Sequence, residues 1–303
     1  MEDKIILSVN GLSVSFKMYD KGLRQRELQV ISNLNVKMRE GEILAVAGSS
    51  GSGKSLLAHA ILGILPSNAK VEGEILYMGE PLSAKRVGKL RGTEIAFVPQ
   101  SVEFLDPLMK VGKQVSKNKS AVRSAFKRYK LDESVEKMYP FQLSGGMMRR
   151  VLCATAVVTK TKLIIADEPT PGMSAELAKR TIKHFRDLAD DGAAVMLITH
   201  DLDLAIEYAD RVAVFYAGTT VETALSSDFT EESKLRHPYT KALRRAMPQN
   251  GFCPTPGMQP APDELLKGCL FVERCEMKGE KCSGSPIHSR VVRGGEVCCL
   301  YAN

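Results

Sequence analysis

Residues 48–55 constrain the fold of this chain more than any other part of the sequence. They read GSSGSGKS, which fits the pattern G-x-x-x-x-G-K-[ST], and they stand between an apolar run, EILAVA, and a helical pattern. Glycines in such a loop let several backbone N–H groups point into one concavity, and the following helix adds the positive end of its dipole. The segment therefore predicts a phosphate-binding loop between a strand and a helix.

Each residue of this loop has an expected task. Lys54 is expected to reach the β and γ phosphates of a nucleotide, and the Ser55 hydroxyl to ligate Mg²⁺. The backbone of the preceding loop is expected to hold phosphate through Gly48, Ser49, Gly51, Ser52 and Gly53. The alternative is a glycine-rich turn with an incidental lysine, which the flanking strand and helix patterns disfavour.

A second apolar run ends in two carboxylates. Residues 163–169 read LIIADEP, so a strand there would deliver Asp167 and Glu168 to one edge of a sheet. Asp167 is placed to hold Mg²⁺ directly or through water, and Glu168 to polarise an attacking water. The pattern is weak by itself, because apolar strands often end in an acidic residue.

Strand-like runs alternate with helical patterns along the chain. The predicted strands span residues 5–16, 41–47, 94–98, 162–166, 193–199 and 211–216. The predicted helices span residues 54–65, 145–159 and 175–189. This alternation predicts an α/β fold with a largely parallel sheet, in which ligands bind at the carboxyl ends of the strands.

Composition and charge exclude few classes of protein. A chain of 303 residues that is 44% hydrophobic and 25% charged can bury a large core. It contains no apolar run long enough to span a bilayer and no export signal, so we expect nothing in it to insert or secrete it. The net charge of +7 includes a basic segment, residues 110–130, that could face anionic lipid, acidic partner loops or nucleic acid. Its two aromatic residues are too few to favour base stacking.

Another glycine-containing loop opens the helix predicted at residues 145–159. It reads LSGGM from Leu143 to Met147, a backbone geometry again suited to phosphate. With FVPQ ending at Gln100 and LITHD containing His200, the motifs resemble the ATP-binding cassette (ABC) family. Residues 48–55 look like its Walker A motif, 143–147 its signature and 163–168 its Walker B motif. Gln100 looks like its Q-loop glutamine and His200 its switch histidine. The resemblance covers residues 5–230.

The resemblance implies a P-loop NTPase cassette. Such a cassette has a RecA-like parallel-sheet core, an antiparallel β subdomain and a helical signature subdomain, here at about residues 101–160. It also implies a head-to-tail dimer that closes each ATP between the Walker A motif of one cassette and the signature of the other. In this chain, Ser144, Gly145 and Gly146 would serve the opposite site.

The resemblance also implies the members of the other ATP site. Catalysis is assigned to Glu168, His200 and Gln100, and Mg²⁺ to Ser55, Gln100 and Asp167. Seen alone, Gln100 could be an ordinary loop amide and His200 a satisfied histidine at a strand end. Phe16 is similar to the aromatic residue that stacks on adenine, although Tyr19 competes for that role and Phe16 could equally be a core residue.

One motif departs from the family pattern. After Glu168, most cassettes read through a leucine to the aspartate of the D-loop, whereas this chain reads PTPGMS and places Ser174 there. Ser174 lacks the carboxylate that normally extends toward the partner's phosphate loop. We therefore hypothesise that the two sites of the dimer are unequal, the site completed by this chain's signature being the weaker one.

The amino-acid composition of the chain changes after about residue 232. A Pro/Gly-rich stretch, QNGFCPTPGMQPAPDE, precedes a cysteine-rich tail, which predicts domains at residues 1–235 and 236–303. The tail contains HPYT from His237, PGMQP from Pro256 and GCLFVERC from Gly268. This series is similar to the C-terminal extension of ATPases of the peptide and nickel importer subfamily, which take up dipeptides, oligopeptides, nickel or metallophores.

The cysteines of this small C-terminal extension suggest a metal site. Of the seven cysteines, Cys153 stands alone and the others follow position 250, which is uneven for a disulfide framework. The spacing C-x5-C-x6-C, with a fourth cysteine further on, supplies thiolates for Zn²⁺ or an iron–sulfur cluster. The subfamily resemblance favours [4Fe–4S] over zinc and free thiols, with Cys269, Cys275, Cys282 and Cys299, or Cys298 in place of Cys299, as ligands. Cys153 and Cys253 are interpreted as structural or incidental.

Two functions compete on this reading. The first is an ATPase that hydrolyses ATP with Mg²⁺ at the cytoplasmic face of the membrane. It would pair with a second, different cassette subunit and dock on two permeases through the loop after Gln100, with an extracellular solute-binding protein delivering the cargo. The rival is a soluble ABC ATPase acting on nucleic acid or ribosomes, which the basic segment weakly permits. Soluble members usually carry two cassettes or long coiled-coil inserts, so no nucleic acid partner is expected.

Overall fold

The computed structural model describes residues 4–19, 25–158, 161–262, 268–284 and 286–303. In chain order, their strands are β1 (Ile5–Tyr19), β2 (Gln25–Arg39), β3 (Ile43–Gly48), β4 (Ala69–Tyr77), β5 (Glu80–Pro81), β6 (Ile95–Val98), β7 (Leu163–Asp167), β8 (Ala194–Ile198), β9 (Arg211–Tyr216), β10 (Thr219–Leu225), β11 (Arg290–Val292) and β12 (Gly295–Val297). Their α-helices are α1 (Lys54–Leu62), α2 (Ala84–Leu90), α3 (Val111–Val115), α4 (Lys119–Arg128), α5 (Gly145–Val157), α6 (Ala175–Asp190), α7 (Leu202–Tyr208) and α8 (Pro238–Arg245). Within these ranges, none of the helices combines the length and the apolar character needed to cross a bilayer.

The chain folds as two compact units. The first comprises Met1–Ile6, Met38–Ile43 and Ser83–Thr199. Its strands β6, β7 and β8 are neighbours and run parallel. Every residue of β7 and β8 is buried, which explains why these strands read as unbroken apolar runs: a parallel sheet is covered on both faces.

Three helices of the first unit, α3, α4 and α5, pack against one another, and α5 also contacts β6. α4 begins at its N-cap Asn118, whose side chain accepts hydrogen bonds from the N–H groups of Ser120 and Ala121. Its apolar face buries Val122 and Phe126. α3 and α5 also lie within residues 101–160, where a helical subdomain is predicted, and the bounds of that subdomain stay a prediction. The predicted helix end at Thr159, and Lys160 after it, lie outside the described residues.

The second unit comprises Leu7–Lys37, Leu44–Leu82 and His200–Asn303. One of its sheets is antiparallel in the order β2-β1-β4-β5. β1 and β4 pair from Leu7 with Tyr77 to Phe16 with Ala69, and an irregularity follows Asn10. Gly73 stands opposite this irregularity with a φ of +93°, and a Cβ there would lie 2.5 Å from the carbonyl oxygen of Gly11, so only glycine fits.

The other sheet portion of the second unit combines parallel and antiparallel pairs. β3 and β9 run parallel, and β10, β12 and β11 continue the sheet as antiparallel strands. The last two strands come from the tail, where β12 places Val297 beside Glu222 of β10. The C-terminal segment therefore extends this sheet. The boundary near residue 235 stays a prediction.

Most predicted elements are present with shifted ends. All six predicted strands form, and the α/β class with a parallel core is confirmed. α1 ends at Leu62 rather than at residue 65, because Gly63 adopts a left-handed conformation and closes the helix. The sequence reading did not predict β2, β4, β5, β10 or the tail strands. In β2 the alternation of Leu34, Val36 and Met38, all buried, was an available signal.

Candidate functional site

The phosphate loop links β3 to α1 and has a backbone that requires glycine. Gly48 has a φ of +151°, and a Cβ there would lie 2.2 Å from the carbonyl oxygen of Phe215. Gly53, the N-cap of α1, has a φ of +93°, and its Cβ would lie 3.1 Å from Ile31. The side of the loop at Gly51 is open, since a Cβ there would meet no atom within 4 Å. The loop is thus closed behind and open in front, as a phosphate site requires.

The lysine of the loop is buried and folded back onto it. Lys54 is 8% exposed, and its Nζ donates to the carbonyl oxygens of Gly48 and Ser49, both at 2.9 Å. Ser52 is fully buried, and in the part of the chain that the structure describes its hydroxyl has no hydrogen-bond partner. A buried ammonium beside an unsatisfied hydroxyl and a cradle of amides fits a polyphosphate with its metal ion. Ser55 stands in the first turn of α1, next to Lys54.

The predicted Walker B carboxylates end β7 in the first unit. Asp167 is buried at the end of the strand. Glu168 follows with a φ of +46°, an uncommon conformation for a residue with a side chain, and its N–H donates to the carbonyl oxygen of Ile198 at 2.9 Å. Gln100 Nε2 donates to Glu168 Oε2 at 3.2 Å. The structure therefore brings the predicted Q-loop glutamine against the predicted catalytic carboxylate.

The sequence reading missed Arg149, which ties these two residues together. Its guanidinium donates to the carbonyl oxygen of Glu168 at 3.2 Å and to the carbonyl oxygen of Gln100. Arg149 belongs to α5, one turn after the signature glycines. The available signal in the sequence was the pair of basic residues, Arg149 and Arg150, shortly after LSGG.

The signature residues open α5 and face outward. Ser144 is the N-cap, and its Oγ accepts from the N–H of Met147 at 3.3 Å. Ser144 and Gly145 are exposed, and a Cβ at Gly145 would meet no atom within 4 Å. Gly146 is tighter, with a Cβ position 3.4 Å from the carbonyl oxygen of Gly172. The exposed loop end is accessible to a ligand that another molecule holds.

Three further predicted positions have simple environments. His200 is exposed, two residues after β8 ends at Ile198. Phe16 is partly buried in β1, whereas the competing Tyr19 is exposed at the end of the same strand. Ser174 is the N-cap of α6, and its Oγ accepts from the N–H of Leu177 at 3.4 Å. The serine that replaces the D-loop aspartate thus serves as a helix cap.

Four cysteines of the tail converge on one small cavity. Cys269, Cys275, Cys282 and Cys299 line it together with His237. Burial raises the pKa of the Cys269 thiol to about 11, and the other three cysteines add to this shift, so all four lie near each other. Among the residues outside the gaps named above, no three His, Cys, Asp or Glu side chains stand in a metal-binding arrangement. Four thiols are the kind of donor set that a thiolate-bound metal group needs, but their placement in this structure is not a metal-binding one.

The remaining cysteines lie elsewhere. Cys298 lines a second cavity, which Cys269 also lines, and its thiol is hydrogen-bonded to Ser289. Cys153 is buried in α5, where burial raises the pKa of its thiol to about 12. Cys253 is exposed. None of these three cysteines lines the cavity that holds the other four.

Two tail residues that the sequence reading missed contact the phosphate loop. The hydroxyl of Tyr239 accepts from the N–H of Ser49 at 3.2 Å, and Gln259 Oε1 accepts from Ser49 Oγ at 2.5 Å. Both belong to motifs that the sequence analysis singled out, HPYT and PGMQP, but their spacing carries no sign of these contacts.

Sequence comparisons place both parts of the chain. The family model for the ABC transporter matches residues 31–171, and the model for the oligopeptide/dipeptide transporter, C-terminal region, matches residues 221–282. The oligopeptide transport ATP-binding protein OppD of Salmonella typhimurium is 32% identical over 306 residues, which cover 93% of this chain and 89% of that protein. The dipeptide transport ATP-binding protein DppD of Escherichia coli is 32% identical over 322 residues, covering 98% and 96%.

A structural comparison agrees on the fold. The dimeric post-hydrolysis state of the ATP-binding cassette MJ0796 bound to ADP and Pi superposes with a TM-score of 0.65. It covers 73% of this chain and 99% of that chain at 23% sequence identity. At this identity the likeness establishes the fold alone.

Proposed function

This chain belongs to the ATP-binding subunits of the ABC transporter family, and from that premise we propose how it works as the ATPase of a peptide importer. It hydrolyses ATP and couples hydrolysis to movement of solute across a membrane. The observation that carries this function is the phosphate loop with its buried Lys54, set in a chain that matches peptide-transport ATPases over almost its full length.

The residues of the chain divide the work of hydrolysis. The loop amides of residues 48–55, apart from the Ser49 N–H that donates to Tyr239, and the Lys54 ammonium hold the phosphates, and Ser55, Asp167 and Gln100 would hold Mg²⁺. When bound, Mg²⁺ neutralises charge on the phosphate oxygens. Glu168 accepts the proton of the attacking water as general base. The 3.2 Å hydrogen bond from Gln100 to its carboxylate supports this role, because it holds the side chain in one orientation.

The remaining predicted residues complete the nucleotide site. His200 stands after β8 as the switch residue near the γ phosphate, and Phe16 offers a ring to adenine, with Tyr19 as the more exposed competitor. Ser144, Gly145 and Gly146 close on the ATP of a partner cassette. Exposure of Ser144 and Gly145 at the start of α5 supports an intermolecular role.

The proposed assembly extends what the family membership suggests. The partner cassette is a different subunit, so that the dimer is a heterodimer, and the pair docks on two permeases at the cytoplasmic face of the membrane. Apolar side chains after Gln100 support a docking surface there: Phe104 and Met109 are exposed and Leu108 is 87% exposed. A solute-binding protein outside the membrane delivers the cargo.

Peptides are the cargo that the relatives favour. The matched C-terminal model and the named relatives concern oligopeptides and dipeptides. Nickel and metallophores, which we also predicted, find no support among them.

A metal group in the tail forms the finer part of the proposal. Cys269, Cys275, Cys282 and Cys299 would hold a [4Fe–4S] cluster, with Zn²⁺ as the alternative, and the bound group would stiffen the tail. Convergence of these four on one cavity supports Cys299 over Cys298 as the fourth ligand. Protein purified without oxygen should be brown and contain iron and sulfide, and Cys269→Ser should abolish both while Cys253→Ser keeps them. A colourless preparation with stoichiometric zinc would show that the bound group is zinc and not a cluster.

Reconstitution in lipid vesicles tests the transport function. The complex with permeases and binding protein should hydrolyse ATP and import peptide, and Lys54→Ala should abolish both activities. Lys85→Ala, at an exposed position of α2, is the matched control and should leave both unchanged. Stimulation of hydrolysis by RNA or DNA, without permeases, would instead favour the nucleic-acid function.

A further inference from the structure

The C-terminal extension reaches into the phosphate loop through two side chains. Ser49, the second residue of the loop, donates its N–H to the hydroxyl of Tyr239 at 3.2 Å and its own hydroxyl to Gln259 Oε1 at 2.5 Å. The N–H of Ala217 donates to the same Gln259 oxygen at 3.2 Å. We infer that Tyr239 and Gln259 are positioning residues that brace the phosphate loop for ATP, so that nucleotide affinity depends on the cysteine-bearing tail. This inference rests on the proposed ATPase function.

The brace acts on the part of the loop that controls the lysine. Lys54 Nζ donates to the carbonyl oxygens of Gly48 and Ser49, so a shift of Ser49 moves the ammonium that would meet the phosphates. Gln259 also joins Ser49 to Ala217, in the turn between β9 and β10. One amide oxygen thereby fixes the loop to the rigid sheet behind it.

Tyr239 is held by the segment that carries the cysteines. Its side chain is 6% exposed, and its ring lies 4.5 Å from the ring of Tyr216 and 5.4 Å from that of Phe271, between centroids. Phe271 is itself buried and stands between Cys269 and Cys275 in the chain. The position of the Tyr239 hydroxyl therefore depends on how residues 269–275 fold.

Gln259 is tied to the same segment by a second route. Arg274, next to Cys275, donates to the carbonyl oxygens of Thr255 and Pro256, both at 3.0 Å. It also donates to the hydroxyl of Tyr216 at 3.3 Å. These bonds fix the turn that leads into Gln259. Both contacts of Ser49 thus trace back to residues 269–275.

The expected effect is on binding more than on chemistry. Tyr239 and Gln259 both act on the resting geometry of the phosphate loop, through Ser49. Loss of the brace leaves the carboxylate that primes water in place. It should therefore raise the Kd and the KM for ATP while kcat changes little.

Four variants of the full chain test the inference, with a fluorescent ATP analogue for Kd and the assembled complex for KM and kcat. Tyr239→Phe and Gln259→Ala should each raise Kd by about 3- to 10-fold, the loss expected for one or two hydrogen bonds. Arg274→Met should raise it by a similar factor. Met258→Ala is the matched control, because Met258 precedes Gln259 and is 89% exposed. Thermal melting of each variant separates loosened binding from unfolding.

The outcomes distinguish this inference from the proposed function. If Tyr239→Phe and Gln259→Ala bind ATP as tightly as Met258→Ala does, the brace is refuted while the ATPase function stands. If only Arg274→Met binds like the control, the link to the cysteine-bearing segment is refuted. Failure of the unaltered chain to bind ATP would overturn the proposed function itself.

Discussion

The phosphate loop and the cysteine-bearing tail belong to the same unit but are built in opposite ways. The loop gets its shape from consecutive residues: glycines where a Cβ would strike backbone, then a helix whose first residue is Lys54. The tail gets its shape from side chains that join distant positions, such as Arg236 with residues 292 and 293. A loop shaped by consecutive residues should tolerate substitutions elsewhere in the chain. A segment held by long-range contacts should lose its structure when one connecting side chain is removed.

The buried guanidinium of Arg236 connects distant positions of the tail. The side chain of Arg236 is 4% exposed, and its Nη1 lies 3.2 Å from a carboxylate oxygen of Glu222 and 2.9 Å from one of Asp228. Its other nitrogens donate to the carbonyl oxygens of Val292 and Arg293 at 2.6 Å. The hairpin of β11 and β12 is thereby fastened to β10. Gly295 makes room for it, since a Cβ there would lie 2.6 Å from the guanidinium carbon.

The largest effect is expected where a local motif supplies the chemistry. Glu168→Gln keeps the size of the side chain and an oxygen for the hydrogen bond from Gln100, but it removes the general base. ATP hydrolysis by the complex should fall by about 10²- to 10⁴-fold, while the Kd for ATP and the melting temperature stay close to those of the unaltered protein. A fall of less than tenfold would mean that another group accepts the proton.

The next effect concerns stability and belongs to the tail. Arg236→Met leaves the carboxylate of Glu222 buried without its counter-ion, and should lower the free energy of unfolding by about 3–5 kcal/mol. Urea denaturation followed by tyrosine fluorescence measures the change, since the chain contains no tryptophan. Lys234→Met is the control, because its ion pair with Glu231 is exposed and worth about 0–1 kcal/mol. Equal losses for the two variants would contradict the long-range account of the tail.

The same contrast explains what the sequence could predict. Residues 48–55 and the strand ending at Asp167 were recognisable because their patterns are local: apolar run, turn, then charge. That Gln100 and Glu168 share one site followed only from family resemblance, since 68 residues separate them. The contacts of Ser49 with Tyr239 and Gln259 span 190 and 210 residues, and no periodicity encodes them.

The tail strands were not predicted, for a related reason. The short tail strands β11 and β12 each have three residues, too few to show an alternation of apolar and polar positions. They exist because Arg236 and the edge of β10 hold them in place. Tertiary contacts therefore determine these strands, whereas the longer apolar runs of β7 and β8, whose residues are all buried, can be recognised in the sequence.

A smaller effect on catalysis is expected from a residue that positions a motif. Arg149 holds the carbonyl oxygens of Gln100 and Glu168, the latter in a strained conformation. Arg149→Met should lower kcat by about tenfold with the Kd for ATP unchanged, since it loosens the carboxylate but not the phosphate loop. Arg123→Met in α4, whose ion pair with Glu133 is exposed, is the control. An increase in Kd with kcat retained would assign Arg149 to nucleotide binding instead.

The smallest effect separates a helix cap from a missing carboxylate. Ser174 caps α6, so Ser174→Ala should cost about 0.5–2 kcal/mol of stability, whereas Ser174→Asp should cost nothing because aspartate caps equally well. Ser174→Asp also restores the carboxylate of the D-loop. If its absence makes the two sites of the dimer unequal, Ser174→Asp should raise nucleotide turnover at the site completed by this chain's signature, measured by trapping nucleotide at each site separately. If turnover stays unequal in Ser174→Asp, the asymmetry comes from the partner cassette. Because aspartate keeps α6 capped, a loss of stability would not account for that result.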